Sequence, residues 1–176
     1  KKQILNVYGR EADVIHPPVD TARFQVSRED KGYYLILARL IGYKGIDRAI
    51  KAFANLDREL RIVGDGTDRA RLESMATANV KFLGHITDQE VLDQLASCRA
   101  LIFPGEEDFG ITPLEAHACG KPVLAYGKGG ALETVIHGKT GIHFTHPTSD
   151  SLLAGLHKLE GSSWNADVIR KQADKK

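Results

Sequence analysis

Arg39 and Lys44 place two cations in the stretch "ARLIGYKG" (38–45), and Glu107 and Glu115 place two carboxylates in "PGEEDFGITPLE" (104–115). A guanidinium and an ammonium on one loop suit a diphosphate, the first as a planar fork and the second as a point charge. The acidic stretch is harder to read. It follows an apolar run and opens a helix, where free amides and the helix dipole favour anions. Yet it carries Glu106, Glu107, Asp108 and Glu115. Any ligand of this place must welcome carboxylates as well as amides.

The elements that position these residues follow from hydropathy. Apolar, β-branched runs recur at 13–16, 33–38, 60–64, 80–84, 100–104, 122–126 and 141–144. They are continuous rather than alternating, as in strands buried on both faces. Helical periodicity lies between them. Ile46, Ile50, Phe53 and Leu56 share a face, as do Val91, Leu92 and Leu95, and again Leu152, Leu153, Leu156 and Leu159. The alternation predicts an α/β fold, a Rossmann-like doubly wound parallel sheet. In such a sheet the ligand lies beyond the carboxyl ends of the strands, so the loops of interest are 39–44, 64–68, 84–88, 104–110 and 126–130. The "HPPVD" turn (16–20) is the one plausible boundary. Residues 1–20 are expected to be an interdomain connection and first strand, 21–160 the ligand-binding domain, and 161–176 a C-terminal helix or tail.

The remaining loops add support or exclude alternatives. "VGDGTDRARLE" (63–73) fails as a dinucleotide fingerprint because Arg69 occupies the third glycine position. Gly64 and Gly66 instead fit a tight turn near a ligand, with Asp68 as N-cap of the next helix. Thr87 and Glu90 fit a capping box. Gly129 and Gly130 fit either amides presented to an anion or sugar or a plain flexible turn. "TPLE" (112–115) also fits a capping box, so Glu115 has a structural reading beside a binding one. His143 and His146 lack the companions of a metal site, and no nucleophile elbow occurs.

Composition narrows the classes further. A net charge of +1 over 176 residues argues against a general nucleic-acid binder. The basic end "IRKQADKK" (169–176) reads as a solvated helix tail rather than a contact with anionic lipid. Cys98 and Cys119 lie in apolar segments as free thiols, which fits a reducing cytoplasm. No run suits a membrane span. The opening "KKQILNVYGREADVIHPPVD" lacks an initial Met and reads as the middle of a longer protein.

Taken in order, "HPPVDTARF" (16–24), "ARLIGYKG", "VGDG", "FLGHI", "PGEEDFGITPLEAHACGKPVLA" (104–125) and "GGALETVIHGKTG" (129–141) resemble the donor-binding half of the family 4 glycosyltransferases, retaining enzymes of the GT-B fold. The resemblance covers nearly the whole chain, and Glu107 and Glu115 meet the family's E-x7-E signature. It implies a nucleoside-diphosphate sugar as donor. Arg39 and Lys44 would hold the diphosphate and stabilise the leaving group. Glu107, or its neighbour Glu106, would reach sugar hydroxyls. Phe109, Gly110 and Ile111 would face sugar and phosphates with their amides, and Glu115 would bind the ribose. Ile86 with Gly84 would meet the base, and Gly64 to Gly66 would edge the pocket. His117 stands where a small or apolar residue such as Met is usual, and is expected to pack against the sheet.

"HPPVDTARF" looks most like mannosyltransferases of cell-envelope polysaccharide assembly. The resemblance thus implies GDP-mannose, with UDP-glucose or a UDP-N-acetylhexosamine as the alternative donor, and a non-catalytic nucleotide-sugar-binding module as the alternative role. It implies no metal or other cofactor, a lipid-linked or saccharide acceptor held by a second domain, and no nucleic acid. The place of action it implies is the cytoplasm, with peripheral membrane contact in the full-length protein.

Overall fold

The continuous apolar runs form one sheet whose two faces are both covered. In the computed structural model, which describes residues 2–13 and 15–175, the elements are α1 (Lys2–Tyr8), β1 (Tyr33–Leu37), α2 (Ile46–Phe53), β2 (Glu59–Val63), α3 (Arg69–Ser74), β3 (Val80–Gly84), α4 (Asp88–Ser97), β4 (Ala100–Phe103), α5 (Ile111–Ala118), β5 (Val123–Tyr126), α6 (Ala131–Thr134), β6 (Gly141–Phe144), α7 (Ser149–Glu160) and α8 (Ala166–Ala173). All pairings are parallel. The strand order is β3-β2-β1-β4-β5-β6.

Strand periodicity divides the core in two. Tyr34 and Ile36 of β1 face a cluster built from Ile46, Ile50 and Phe53 of α2 and Leu152, Leu156 and Leu159 of α7. Tyr33 and Leu35 face the other side, with Leu95 of α4 and Ala116 and Ala118 of α5. The predicted helix faces are therefore the buried ones. Val91, Leu92, Leu56 and Leu153 lie at the edges, only partly covered.

The run at 13–16 is a correction. Asp13, Ile15 and His16 form no strand, and Val14 lies outside the described residues. Ile15 is 92% exposed. Pro17 and Pro18 follow at once, and prolines supply no amide to a ladder. The basic end is not a solvated tail over its described part. In α8, Ile169 and Ala173 are buried. Arg170 donates from Nη1 to the carbonyls of Phe24 (2.7 Å) and Ala118 (2.9 Å), and from Nη2 to that of Thr21 (3.1 Å). Its last residue, Lys176, lies outside the described residues. No helix among the described residues is long and apolar enough to cross a membrane.

Candidate functional site

The strand order reverses direction between β1 and β4, and a doubly wound sheet opens its crevice at such a switch point. The loops leaving these two strands carry the cations and the acidic stretch. The first loop ends in a 3-10 turn, Gly42–Lys44, closed by Gly45 in the left-handed conformation at φ 64°. The second runs from Pro104 to Gly110, where α5 begins.

The two loops pack closely against each other, and a side chain of α2 ties down the second. Arg48 Nη1 donates to the Pro104 carbonyl at 3.0 Å. A Cβ on Gly105 would meet the Lys44 backbone at 2.8 Å. Across this seam the Lys44 ammonium donates to Glu107 Oε1 as an ion pair, with side chains only 14% and 25% exposed. Lys44 also lies 5.1 Å from the centre of the Tyr43 ring. Arg39 is exposed, and its side chain has no partner among the described residues. The structure thus couples Lys44 to Glu107 rather than to Arg39, and it is Glu107 that turns inward while Glu106 is exposed.

The predicted glycines act mainly on these loops. A Cβ on Gly64, whose φ is 127°, would strike the Ala38 carbonyl, and one on Gly66 would strike that of Leu40. Their backbones brace the Arg39 loop, with Leu40 N donating to Asp65 O at 2.9 Å and Asp68 N to Leu40 O at 3.0 Å. Gly129 and Gly130 do the same for the acidic loop. They lie against the backbones of Glu107 and Phe109, and Gly130 N donates to Glu107 O at 2.7 Å. The Gly130 amide is thus spent on the Glu107 carbonyl, and the two glycines form a seat for the acidic loop rather than a flexible turn. Gly84 also holds a positive φ of 69°, beside Arg69.

Two capping expectations need correction. Asp68 precedes α3 but makes no cap bond, because its carboxylate accepts from Arg71 at 2.8 Å. Helix α5 starts one residue before Thr112, with Gly110 as N-cap at φ 92° and no side-chain cap. The amides of Ile111 and Thr112 find no acceptor among the described residues. Glu115 therefore does not cap its helix. It is half-buried, and burial pushes its carboxyl above the usual range, opposed by the charge of Arg23. Asp88 also acts on it. This places Glu115 on the α4 side of the crevice, where Ile86 is half-buried. The Thr87–Glu90 capping box forms as predicted.

A cavity of about 470 Å3 opens beside the ion pair, lined among others by Pro17, Tyr43, Glu106, Glu107, Phe109 and Ile111. Glu115 does not line it. Two contributors went unread in the sequence. Tyr43 lines the cavity, and its 61% exposure is unusual for so large a ring, but its type alone does not mark it in the sequence. His16 stacks on Phe109 with centroids 5.0 Å apart and lies 3.9 Å from Glu133. "HPPVD" was read as a boundary, and no local pattern shows such a distant contact.

His117 is buried in α5, with Nε2 against the Thr140 carbonyl at 3.1 Å and Nδ1 unpartnered. Burial lowers its pKa to about 4. Both cysteines are free and buried, and burial pushes Cys98 up to about 12 and Cys119 to about 11.

Residues 19–176 match the family described as Glycosyl transferases group 1. A GDP-mannose-dependent monoacylated alpha-(1-6)-phosphatidylinositol monomannoside mannosyltransferase of Corynebacterium glutamicum is 40% identical over 114 residues, 56% of this chain and 30% of that protein. An alpha-1,3/1,6-mannosyltransferase of Dictyostelium discoideum is 43% identical over 164 residues, 88% of this chain and 36% of that protein. The chain thus spans about a third of the length of these curated relatives. In three dimensions it is similar to a lipopolysaccharide outer core galactosyltransferase, WaaB, with a TM-score of 0.83 at 22% identity over 99% of this chain and 54% of that one. The reversal of strand order, the loops it juxtaposes and the match over residues 19–176 lead to one assignment: the chain belongs to the group 1 glycosyl transferases and has the fold of the C-terminal Rossmann-like domain of a GT-B enzyme.

Proposed function

We propose that this chain binds a nucleoside-diphosphate sugar, GDP-mannose in the first instance, and supplies the donor half of a retaining hexosyl transfer to a lipid-linked or saccharide acceptor. The observation that carries the reading is the Lys44–Glu107 pair, which puts a phosphate-binding cation and a hydroxyl-binding carboxylate side by side at the switch point. The acidic stretch then makes sense. A nucleotide sugar is an anion with a polyol on either side. Lys44 and Arg39 serve the diphosphate, the free amides of Ile111 and Thr112 add donors, Glu107 takes sugar hydroxyls, and Glu115 takes the ribose on the Ile86 side.

Cleavage of the donor develops negative charge on the β-phosphate and positive charge on the sugar. Arg39 and Lys44 stabilise the first electrostatically, an effect worth a few kcal/mol of barrier for comparable preorganised donors. The acceptor would be held by a second domain, and the isolated chain is expected to bind donor while transferring little or no sugar. This account assigns the charge stabilisation to side chains and amides, with no metal. It places the reaction in the cytoplasm, with the whole protein touching the membrane peripherally.

Mannose is favoured by "HPPVDTARF" and by the two mannosyltransferase relatives. Calorimetry of this chain with GDP, UDP, NADH and the corresponding nucleotide sugars tests the reading. Tightest binding of GDP and GDP-mannose is expected. A preference for UDP and its sugars would transfer the proposal to that donor class, and no binding of any nucleoside diphosphate would sink it.

A further inference from the structure

Lys44 is the sole ion-pair partner of Glu107 among the described residues. The carboxylate stands between Glu106 and Asp108, so a Glu107 released by Lys44 would be left in a run of three acids. The loops themselves cannot separate easily, because Gly105 lies against the Lys44 backbone and Arg48 ties the Pro104 carbonyl. The pair therefore opens by side-chain rotation, in competition with whatever takes Lys44.

A nucleotide sugar and a spent nucleoside diphosphate compete on different terms. Both offer a diphosphate to Lys44. The nucleotide sugar also offers hydroxyl donors that re-partner Glu107. The spent nucleotide keeps its ribose hydroxyls on the Glu115 side but has none beyond its terminal phosphate to offer Glu107, and that phosphate carries an additional negative charge toward the acidic run. Leaving a part-buried carboxylate unpaired is costly. We propose that the Lys44–Glu107 pair makes this site selective for the sugar-bearing nucleotide over the sugar-free one, and that its re-formation drives the spent nucleoside diphosphate out. Glu107 is then a specificity-determining residue for the cycle as well as a sugar ligand. This inference rests on the proposed donor-binding role.

The test is calorimetry of the wild-type chain, Glu107→Gln and Lys44→Ala with GDP-mannose, GDP and pyrophosphate, with circular dichroism confirming the fold of each. In Glu107→Gln, GDP and pyrophosphate are expected to bind roughly five-fold tighter, about the worth of an ion pair that water still reaches, while GDP-mannose binds no tighter. Glu107→Ser should shift GDP in the same direction. Unchanged or weaker GDP and pyrophosphate binding in both Glu107 variants, with Lys44→Ala still weakening GDP, overturns the inference alone. If Lys44→Ala leaves GDP affinity unchanged, or the wild type binds no nucleoside diphosphate, the donor-binding reading falls and the inference with it.

Discussion

At the amino end of the sheet, Arg28, Glu29, Asp30, Arg99, Lys121 and Asp167 line a cavity of about 620 Å3. Each of them is matched inside the protein. Arg28 pairs with Asp167 and Arg99 with Asp30, both at 2.9 Å. Ser97 Oγ donates to Glu29 at 2.8 Å, and the buried Lys121 ammonium donates to the Glu29 carbonyl. At the carboxyl end the cavity is smaller, and its surroundings are unfinished. Arg39, Glu106, Asp108 and Glu115 have no hydrogen-bond or ion-pair partner in the chain among the described residues. Size alone would choose the amino end. Charges satisfied internally at the amino end hold the fold together, while a half-buried carboxylate left without a partner among the described residues, Glu115, marks the carboxyl end as the place for a ligand.

This contrast implies that substitutions at the amino end alter stability and leave binding alone, while those at the carboxyl end act mainly on binding. The largest effect is expected for Lys121→Ala. Losing its buried stem and its bond to the Glu29 carbonyl should lower unfolding free energy by about 3 kcal/mol in urea titration. Donor affinity per folded molecule should not change, and a weakened affinity would break the contrast.

His117 offers a comparable effect through pH. Burial holds its neutral form in the fold and lowers its pKa to about 4, well below the roughly 6.5 of a free imidazole. The unfolded chain therefore takes up the proton first, and stability falls as pH drops from about 6.5 toward 4, by about 3 kcal/mol in full. His117→Met should flatten that part of the stability–pH curve.

Lys44→Ala is next. It should weaken GDP binding by about 2 kcal/mol, roughly thirty-fold, and lower the melting temperature by less than Lys121→Ala does, because Glu107 loses its ion-pair partner. The smallest effect separates two roles of one carboxylate. The Glu115 pKa is raised, so its ionised form is disfavoured in the fold above that pKa. Glu115→Gln should make the ligand-free protein slightly more stable at neutral pH while weakening GDP by about 1 kcal/mol, readable by thermal melts and calorimetry. A loss of stability with unchanged affinity would turn Glu115 into a structural group and sharpen the boundary between the two ends.

The fold was legible because burial on both faces leaves continuous apolar runs, and the run at 13–16 misled because hydropathy takes no account of Pro17 and Pro18. Within the site, the cations and carboxylates could be found by type and spacing, but their pairing could not. Lys44 meets Glu107 through a contact between two loops far apart in sequence, and nothing local distinguishes it from Arg39. The glycines were found as well, yet the segments they pack against were not. Gly64, Gly66, Gly129 and Gly130 fit their places because of another segment's backbone, which the sequence does not display.

Those four glycines have a consequence for how such a protein can change. They anchor the reactive loops through main-chain contacts, which are indifferent to the side chains those loops carry. Exchange of Tyr43, Glu106 or Phe109 therefore leaves the anchorage intact. Side chains at the mouth of the cavity can thus change from one lineage to another without the folding problem first being solved again.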